Sequence, residues 1–292
     1  MTHPNQPALA PSKDVKRYAA EYWTDEGPKQ YQQNSDRFEA MAAPFGQAMF
    51  DAVRLQPGER VLDVGCGYAT TTIEAAERVS PSGHVTGVDV SAAMLAVGRQ
   101  RTAAAPVDNI DLLEADAQAY AFEPAAFDAM ISRFGIMFFD DPEAAFGNLA
   151  RALRPGGRLA FTCWQGPLQS EWVAVALGAA VKHVGRAPEL SSADASSPWA
   201  FADGDRVARL MRAGGFADVT LESVARPQRV GRDVDDVVRF VMSLPETRQL
   251  FTGLPEDVIA GAVVALHAAF APYAGTHGVV MDATAWLVSA IR

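Results

Sequence analysis

An acid lies inside an apolar run that ends in a Gly-x-Gly turn, Val61-Leu62-Asp63-Val64-Gly65-Cys66-Gly67, and a second acid, Asp89, follows 26 residues later. Gly65 and Gly67 carry no Cβ, so the backbone there can turn sharply and approach a ligand closely. A dinucleotide fingerprint wants a third small residue where Thr70 stands, so that a helix N-terminus reaches a pyrophosphate. Asp63 argues the same way, because it repels a pyrophosphate but suits a nucleoside ligand carrying an amino acid group and a sulfonium. Its alternative is a buried structural acid satisfied by backbone donors, although an unpaired carboxylate in a strand is costly. Asp89 can accept both hydroxyl hydrogens of a ribose. Asp116 can accept from an adenine amino group or serve an ordinary turn, and Met94 offers a soft apolar contact to the ring.

Other side chains are candidates for the acceptor side. Arg133 follows the fourth apolar run and either points into an acceptor pocket or makes a surface salt bridge with Asp140 or Asp141. His183 is a candidate general base for a phenol or amine, against the usual reading of a lone His as non-catalytic. Cys66 reads as a packing residue, with no His to pair it as a nucleophile. Phe134, Met137, Phe138 and Phe139 read as core or pocket wall, and Trp164, Trp172, Trp199 and Phe201 would make an apolar acceptor pocket. Upstream, Tyr18, Tyr22, Trp23 and Tyr31 alternate with Gln32, Gln33 and Asn34. Aromatic faces attract a sulfonium and side-chain amides can hold a carboxylate, so the segment is either a lid over the ligand or an arm packed on the core or on another subunit. No metal is expected.

These residues need a scaffold, and residues 60–163 supply its rhythm by alternating short apolar runs with helical patterns, the mark of βαβ units on a parallel sheet. Strands are expected over Arg60 to Val64, His84 to Asp89, Ile110 to Glu114, Phe127 to Ser132 and Gly157 to Cys163. Helices are expected over Thr70 to Val79, Ala92 to Ala104 and Pro142 to Leu153. Ser80-Pro81-Ser82-Gly83 and Arg154-Pro155-Gly156-Gly157 break helices before strands, and Ser91 and Asp141 can cap the helices that follow them. A helix from Ser35 to Val53 packs on the core through Phe38, Met41, Phe45 and Met49. Beyond strand five, Asp205 to Ala213 looks helical, Ala217 to Val224 looks like a strand, and Val279 to Ile291 could be a final strand. The expected units are residues 1–55 as an N-terminal lid or arm, 56–165 as the binding core, 166–202 and 226–275 as cap insertions, 203–225 as a core helix and strand, and 276–292 as the last strand.

With 292 residues, 49% of them apolar, the chain can bury one substantial core and carry a subdomain. Its 25 Lys and Arg against 35 Asp and Glu leave a net charge of −10, which disfavours a nucleic-acid partner and favours a small acceptor. Residues Met1 to Ser12 show no charged-then-apolar signal pattern, Cys66 and Cys163 suit a reducing compartment, and no run is long enough for a bilayer span. Cytoplasmic residence without a membrane partner is the expectation.

Residues 60–163 resemble the class I S-adenosylmethionine (SAM) dependent methyltransferases, particularly those like the ubiquinone and menaquinone C-methyltransferases. The matching segments are Val61 to Gly67 as the glycine motif, Gly87-Val88-Asp89 as the ribose acid and Glu114-Ala115-Asp116-Ala117 as the adenine loop. Phe127-Asp128-Ala129-Met130-Ile131-Ser132 matches the strand beside the methyl group, and Leu153-Arg154-Pro155-Gly156-Gly157 the turn before strand five. Tyr68 departs from the pattern, where many relatives carry a small residue, and either narrows the methionine end or faces solvent. The resemblance implies a Rossmann-like, doubly wound α/β fold with a seven-stranded sheet, last strand antiparallel, and helical cap insertions. SAM would lie across the strands' carboxyl ends, held by Asp63, Gly65, Cys66, Gly67, Asp89, Val90, Met94, Asp116, Ala117 and Ser132, with Trp23 and Gln33 from the lid.

The expected function is methyl transfer from SAM to an O, N or C atom of a small acceptor, a specialised metabolite or quinone-like ring, with Tyr22, Arg133, Met137, Trp164, Trp199 and Phe201 around the acceptor. Two rivals stand beside it: a nicotinamide-dependent oxidoreductase, and a SAM-binding protein that transfers no methyl group. A homo-oligomer is compatible with either form of the N-terminal segment.

Overall fold

The computed structural model describes Trp23 and residues 26–185 and 197–292; Tyr18 and Tyr22 lie outside the described residues. Two helices, α1 (Glu26–Gln33) and α2 (Ser35–Val53), precede a βαβ series of β1 (Arg60–Val64), α3 (Thr70–Val79), β2 (His84–Asp89), α4 (Ala92–Ala104), β3 (Ile110–Glu114), β4 (Phe127–Arg133), α5 (Pro142–Ala152) and β5 (Leu153–Trp164). Then come α6 (Glu171–Val184), α7 (Gly204–Ala213), β6 (Ala217–Gly231), α8 (Val234–Ser243), α9 (Pro245–Phe251), α10 (Glu256–Phe270), β7 (Ala274–Gly275) and β8 (Gly278–Ile291). Seven strands run in the order β3-β2-β1-β4-β5-β8-β6, with the two-residue β7 pairing β8 off that path. Strands β1 to β5 are parallel, and β8 runs antiparallel to both β5 and β6. The expected doubly wound sheet with an antiparallel last strand is what forms.

Successive strand residues point to opposite faces, which sorts the core. Val61, Ile131 and Ala160 pack under α2 and α3 with Met49, Phe50, Ala75 and Val79. Their neighbours Leu62, Met130 and Phe161 pack under α5 and α7 with Phe146, Leu149, Val207 and Met211. The caps behave as expected, with Ser91 accepting from Met94 N–H and Asp141 from Ala144 N–H.

The edges of several elements differ from the sequence expectation. β5 starts at Leu153, because Leu153 pairs with Phe127 before a register shift, and Arg158 resumes pairing opposite Ala129. The Arg154 to Gly157 turn is therefore an irregularity within an extended segment, with Gly156 at positive φ. α5 ends accordingly at Ala152. β6 does not stop at Val224 but continues to Gly231, so residues 226–231, expected in the second insertion, are strand. The extension exists because β8 offers a partner throughout, with pairs from Arg226↔Ala283 to Gly231↔Val279.

β5 ends at Trp164, opposite Ala285. The β6–β8 ribbon therefore projects some 20 Å past the carboxyl edge of the parallel sheet, at about 3.3 Å per residue. The first insertion covers the edge of β8 that β5 leaves free. Ser170 bridges Ala283, the N–H of Asp282 donates to Glu171 Oε2, and the Thr284 hydroxyl donates to Gln169 O. The two insertions pack together as one cap: Ala176 of α6, Val237, Phe240 and Val241 of α8 and Leu266 and Phe270 of α10 share a core with Val230 and Met281 of the ribbon.

Candidate functional site

β1 delivers Asp63 to the carboxyl end of the sheet as a fully buried side chain. Its Oδ2 accepts from the hydroxyls of Thr71 and Thr72 at 2.7 Å each, while Oδ1 has no hydrogen-bond partner among the described residues. Burial pushes its pKa up to about 6, against the two threonine bonds and the nearby Arg133 charge. Threonine hydroxyls, rather than the backbone donors considered from sequence, satisfy half of this carboxylate. The other oxygen is buried without a donor, a cost that a cationic group placed beside it would relieve.

Asp89, at the end of β2, accepts from Gly67 N–H through Oδ2 and from Ser91 N–H through Oδ1, both at 2.8 Å. Burial still pushes its pKa above the usual carboxylate range. The acid thus pins the glycine turn and keeps lone pairs for further donors. Gly65 and Gly67 both have positive φ, and the amides of Gly65 and Cys66 donate to Val88 O. A Cβ on Gly65 would stand 2.8 Å from Gly135 Cα, and one on Gly67 would stand 3.2 Å from Met94 Cε. The turn is therefore wedged between the β4 exit and α4, with Met94 against it. Burial and then the two acids raise the Cys66 thiol well above its ordinary value, which supports packing and not nucleophilic attack.

In the loop after β3, Asp116 accepts from Gln118 N–H at 3.0 Å and from Gln118 Nε2 at 2.6 Å. Buried Asn148 of α5 donates to the carbonyls of Ala117 and Tyr120 and so holds this loop from below. Ala117 is buried in the core and Val90 is partly buried beside Asp89. Ser132 is a correction. Its hydroxyl donates to Val64 O at 2.7 Å and accepts from Ile136 N–H at 3.0 Å, so it ties β4 to the glycine turn and has no donor left for a ligand.

Arg133 is a second correction, since it turns to neither Asp140 nor Asp141. Its Nη2 donates to Glu39 of α2 at 2.6 Å, and the other Glu39 oxygen accepts from the Tyr31 hydroxyl at 2.8 Å. Burial opposes ionisation of Glu39, yet the Arg133 charge and bonds from Tyr31, Arg133 and Thr70 hold it below the usual carboxylate range. Tyr68 is buried and does not face solvent. Tyr31 stands edge-on to it at 5.1 Å and the Arg101 guanidinium lies over it at 5.0 Å. Among the expected lid residues, Tyr31 reaches the site. Gln33 is exposed at the end of α1, and Trp23 rests edge-on against Phe138.

On the acceptor side, Phe134 takes φ +59 and stacks on Trp164 with centroids 4.0 Å apart, Phe45 stands edge-on to both, and Trp199 lies 6.5 Å from Trp164. A bulky residue in the left-handed region is strained, and here the strain leads the chain out of β4 past Trp164. Met137 and Phe201 are corrections: both are buried in the core, Phe201 between Phe146 and Phe161, because the strand face they meet is the one under α5. Trp172 packs on Phe240 inside the cap. His183 is exposed in the last turn of α6, facing Gly261 of α10, and is not brought together with the turn or the aromatic wall. Glu39, Thr71, Thr72 and Gly135 went unread in the sequence. The signal for Glu39 was an acid one position after Phe38 on the apolar stripe of α2.

Comparison with known proteins singles out the segment that carries the glycine turn and these acids. Residues 61–157 match a family model described as a methyltransferase domain. A demethylmenaquinone methyltransferase of Listeria monocytogenes is 40% identical over 108 residues, 37% of this chain and 46% of that protein. The aklanonic acid methyltransferase DauC of a Streptomyces species is 34% identical over 119 residues, 41% of this chain and 54% of that protein. The match thus spans about half the length of these curated relatives. The YcgJ protein of Bacillus subtilis superposes with a TM-score of 0.56 at 16% identity, covering 85% of this chain and 97% of that one. A Haemonchus contortus phosphoethanolamine N-methyltransferase 2 in complex with S-adenosyl-L-methionine gives 0.54 at 21% identity, covering 98% and 60%. At such identities the structural likeness is one of fold. Residues 61–157 are thus similar in sequence to a methyltransferase domain.

Proposed function

We propose that this chain, built around that domain, moves the methyl group of SAM to an O, N or C atom of a small, largely apolar acceptor with a planar ring, a specialised metabolite or quinone-like molecule. The observation that carries the reading is the free Oδ1 of buried Asp63 beside a turn that only glycine can make. The carboxylates of Asp63, Asp89 and Glu39 outnumber the guanidinium of Arg133 within and Arg101 at the rim. That balance favours a sulfonium ligand and disfavours a pyrophosphate, which counts against the nicotinamide reading.

The residues fit SAM. Asp63 Oδ1 would take the α-ammonium, Asp89 the ribose hydroxyls and Asp116 the adenine amino group, with Met94 against the ring. When bound, the sulfonium supplies an electrophilic methyl group. What the protein contributes is alignment and exclusion of water, through the Phe134, Trp164 and Phe45 wall and the cap over the β6–β8 ribbon. His183 is exposed against α10 of the cap, and no contact among the described residues joins it to the glycine turn or the aromatic wall, so it is not assigned as a base.

Isothermal titration with SAM checks this, with micromolar or tighter binding as the expected result and a weakening of tenfold or more in Asp89→Ala. Absence of heat with SAM would overturn the reading. Release of S-adenosylhomocysteine on mixing with hydroxylated quinones or phenols would separate transfer from mere binding.

A further inference from the structure

An ion pair is expensive to enclose and is weak as a source of stability, yet one is enclosed at the mouth of this site. Arg133 at the end of β4 and Glu39 of α2 leave only 11% and 17% of their side chains exposed. The arrangement is held on several sides. Tyr31 donates to the second Glu39 oxygen and stands edge-on to Tyr68, the residue after the glycine turn. A Cβ on Gly46 would stand 3.1 Å from Arg133 Cδ, so α2 lies directly against the arginine stem.

A guanidinium carries five N–H donors. Among the described contacts, only Nη2 of Arg133 is engaged, by Glu39. Strand register sets Asp63 opposite Ile131, two residues before Arg133 on β4, and the Arg133 charge acts on that acid. An acid with one free oxygen and an arginine with free N–H groups therefore flank the same end of the glycine turn. This pair is complementary to a zwitterion, with the α-ammonium on the acid and the α-carboxylate on the planar fork, whose geometry matches a carboxylate.

On the methyltransferase reading, we infer that Arg133 binds the α-carboxylate of the cofactor's amino acid end, and that Glu39 and Tyr31 are positioning residues that aim its guanidinium. The arginine assigned from sequence to the acceptor thereby belongs to the cofactor, and it takes the role first sought in Gln33. The N-terminal helices become part of the cofactor site, which the βαβ core alone does not complete.

The test compares ligands that differ only at that end, titrated into the full chain. S-adenosylhomocysteine carries the whole amino acid, its decarboxylated analogue keeps the amine, and 5′-methylthioadenosine lacks both. The wild-type protein is expected to bind the decarboxylated analogue at least tenfold more weakly than S-adenosylhomocysteine, and equal affinity overturns the inference without any variant. Arg133→Met should lose tenfold to a hundredfold for S-adenosylhomocysteine while methylthioadenosine stays within about twofold. Glu39→Gln should move the same ratio in the same direction by less, and Arg133→Lys should restore part of it. If both ligands weaken by one factor, the pair is only a structural tie and the inference fails. If the wild-type protein binds none of the three, the methyltransferase reading itself has failed, a result distinct from a flat ratio.

Discussion

Asp63 holds the largest unresolved tension of any single residue in the site. Its carboxyl is fully buried with one oxygen free, and its pKa rises from 3.8 to about 6. For an acid raised by folding, the native state holds the proton more tightly than the unfolded chain. Stability therefore falls as pH rises from about 4 to about 6, and the full penalty, up to about 3 kcal/mol, persists above that window. Asp63→Asn should remove this slope and raise the melting temperature at pH 7.5, which denaturation at several pH values would show. The ligand's ammonium needs the ionised acid. S-adenosylhomocysteine affinity should thus weaken as pH falls below about 6, and in Asp63→Asn it should be weaker and insensitive to pH across that range. A variant that binds as tightly as the parent would remove Asp63 from the site.

Among the elements, the turn after β1 and the exit of β4 depend on each other. A Cβ on Gly65 would meet Gly135 Cα, and one on Gly135 would meet both Gly65 Cα and Val64 O, each at 2.8 Å. Gly65→Ala adds this backbone clash to a φ of +69. It is expected to lower the melting temperature by roughly 5 °C or more and to abolish SAM binding, whereas Gly147→Ala, where a Cβ would meet nothing within 4 Å, should be mild. The N-terminal helices couple to the cap just as directly. Arg37 of α2 pairs with Asp236 of α8 at 2.9 Å and covers the Phe240 ring at 4.3 Å, while Phe38 stands edge-on to Phe240. Because Arg232 and Arg239 also flank Asp236, Arg37→Ala should cost about 1–2 kcal/mol. Amide exchange should then speed up in α8 and α2 and stay unchanged in β1 to β4; uniform loss of protection would mean the link is not local.

Taken whole, the molecule joins a parallel sheet that ends at Trp164 to a ribbon that runs on into a helical cap, and the aromatic wall stands at that step. Trp164 touches Phe134, Phe45 and Trp199, residues from the exit of β4, from α2 and from the segment before α7. Trp164→Ala should therefore raise the KM for a planar acceptor tenfold or more with SAM affinity unchanged, and the reverse split would relocate the acceptor. None of the helices among the described residues is long and apolar enough to cross a membrane, and the sequence carries a net charge of −10.

The strands and helices of residues 60–163, the glycine turn and the strand-borne acids Asp63 and Asp89 were legible in the sequence because each rests on local signals. Period-two and period-3.6 apolar patterns, capping residues and glycines at a turn act within a few residues of one another. The strand limits of β5 and β6 were less legible, since a strand continues as long as a neighbour pairs with it, and β8 lies some sixty residues away from β6 along the chain. The partner of Arg133 was not legible at all. Asp140 and Asp141 are close in sequence, but Glu39, 94 residues away, reaches the guanidinium because α2 crosses the end of β4. The same rule sent Ser132, Met137 and Phe201 inward: the face a side chain meets, and the atoms waiting there, depend on which distant elements pack against it. Local residue types determined the glycine turn and the acids beside it; only long-range packing decided which charges surround them.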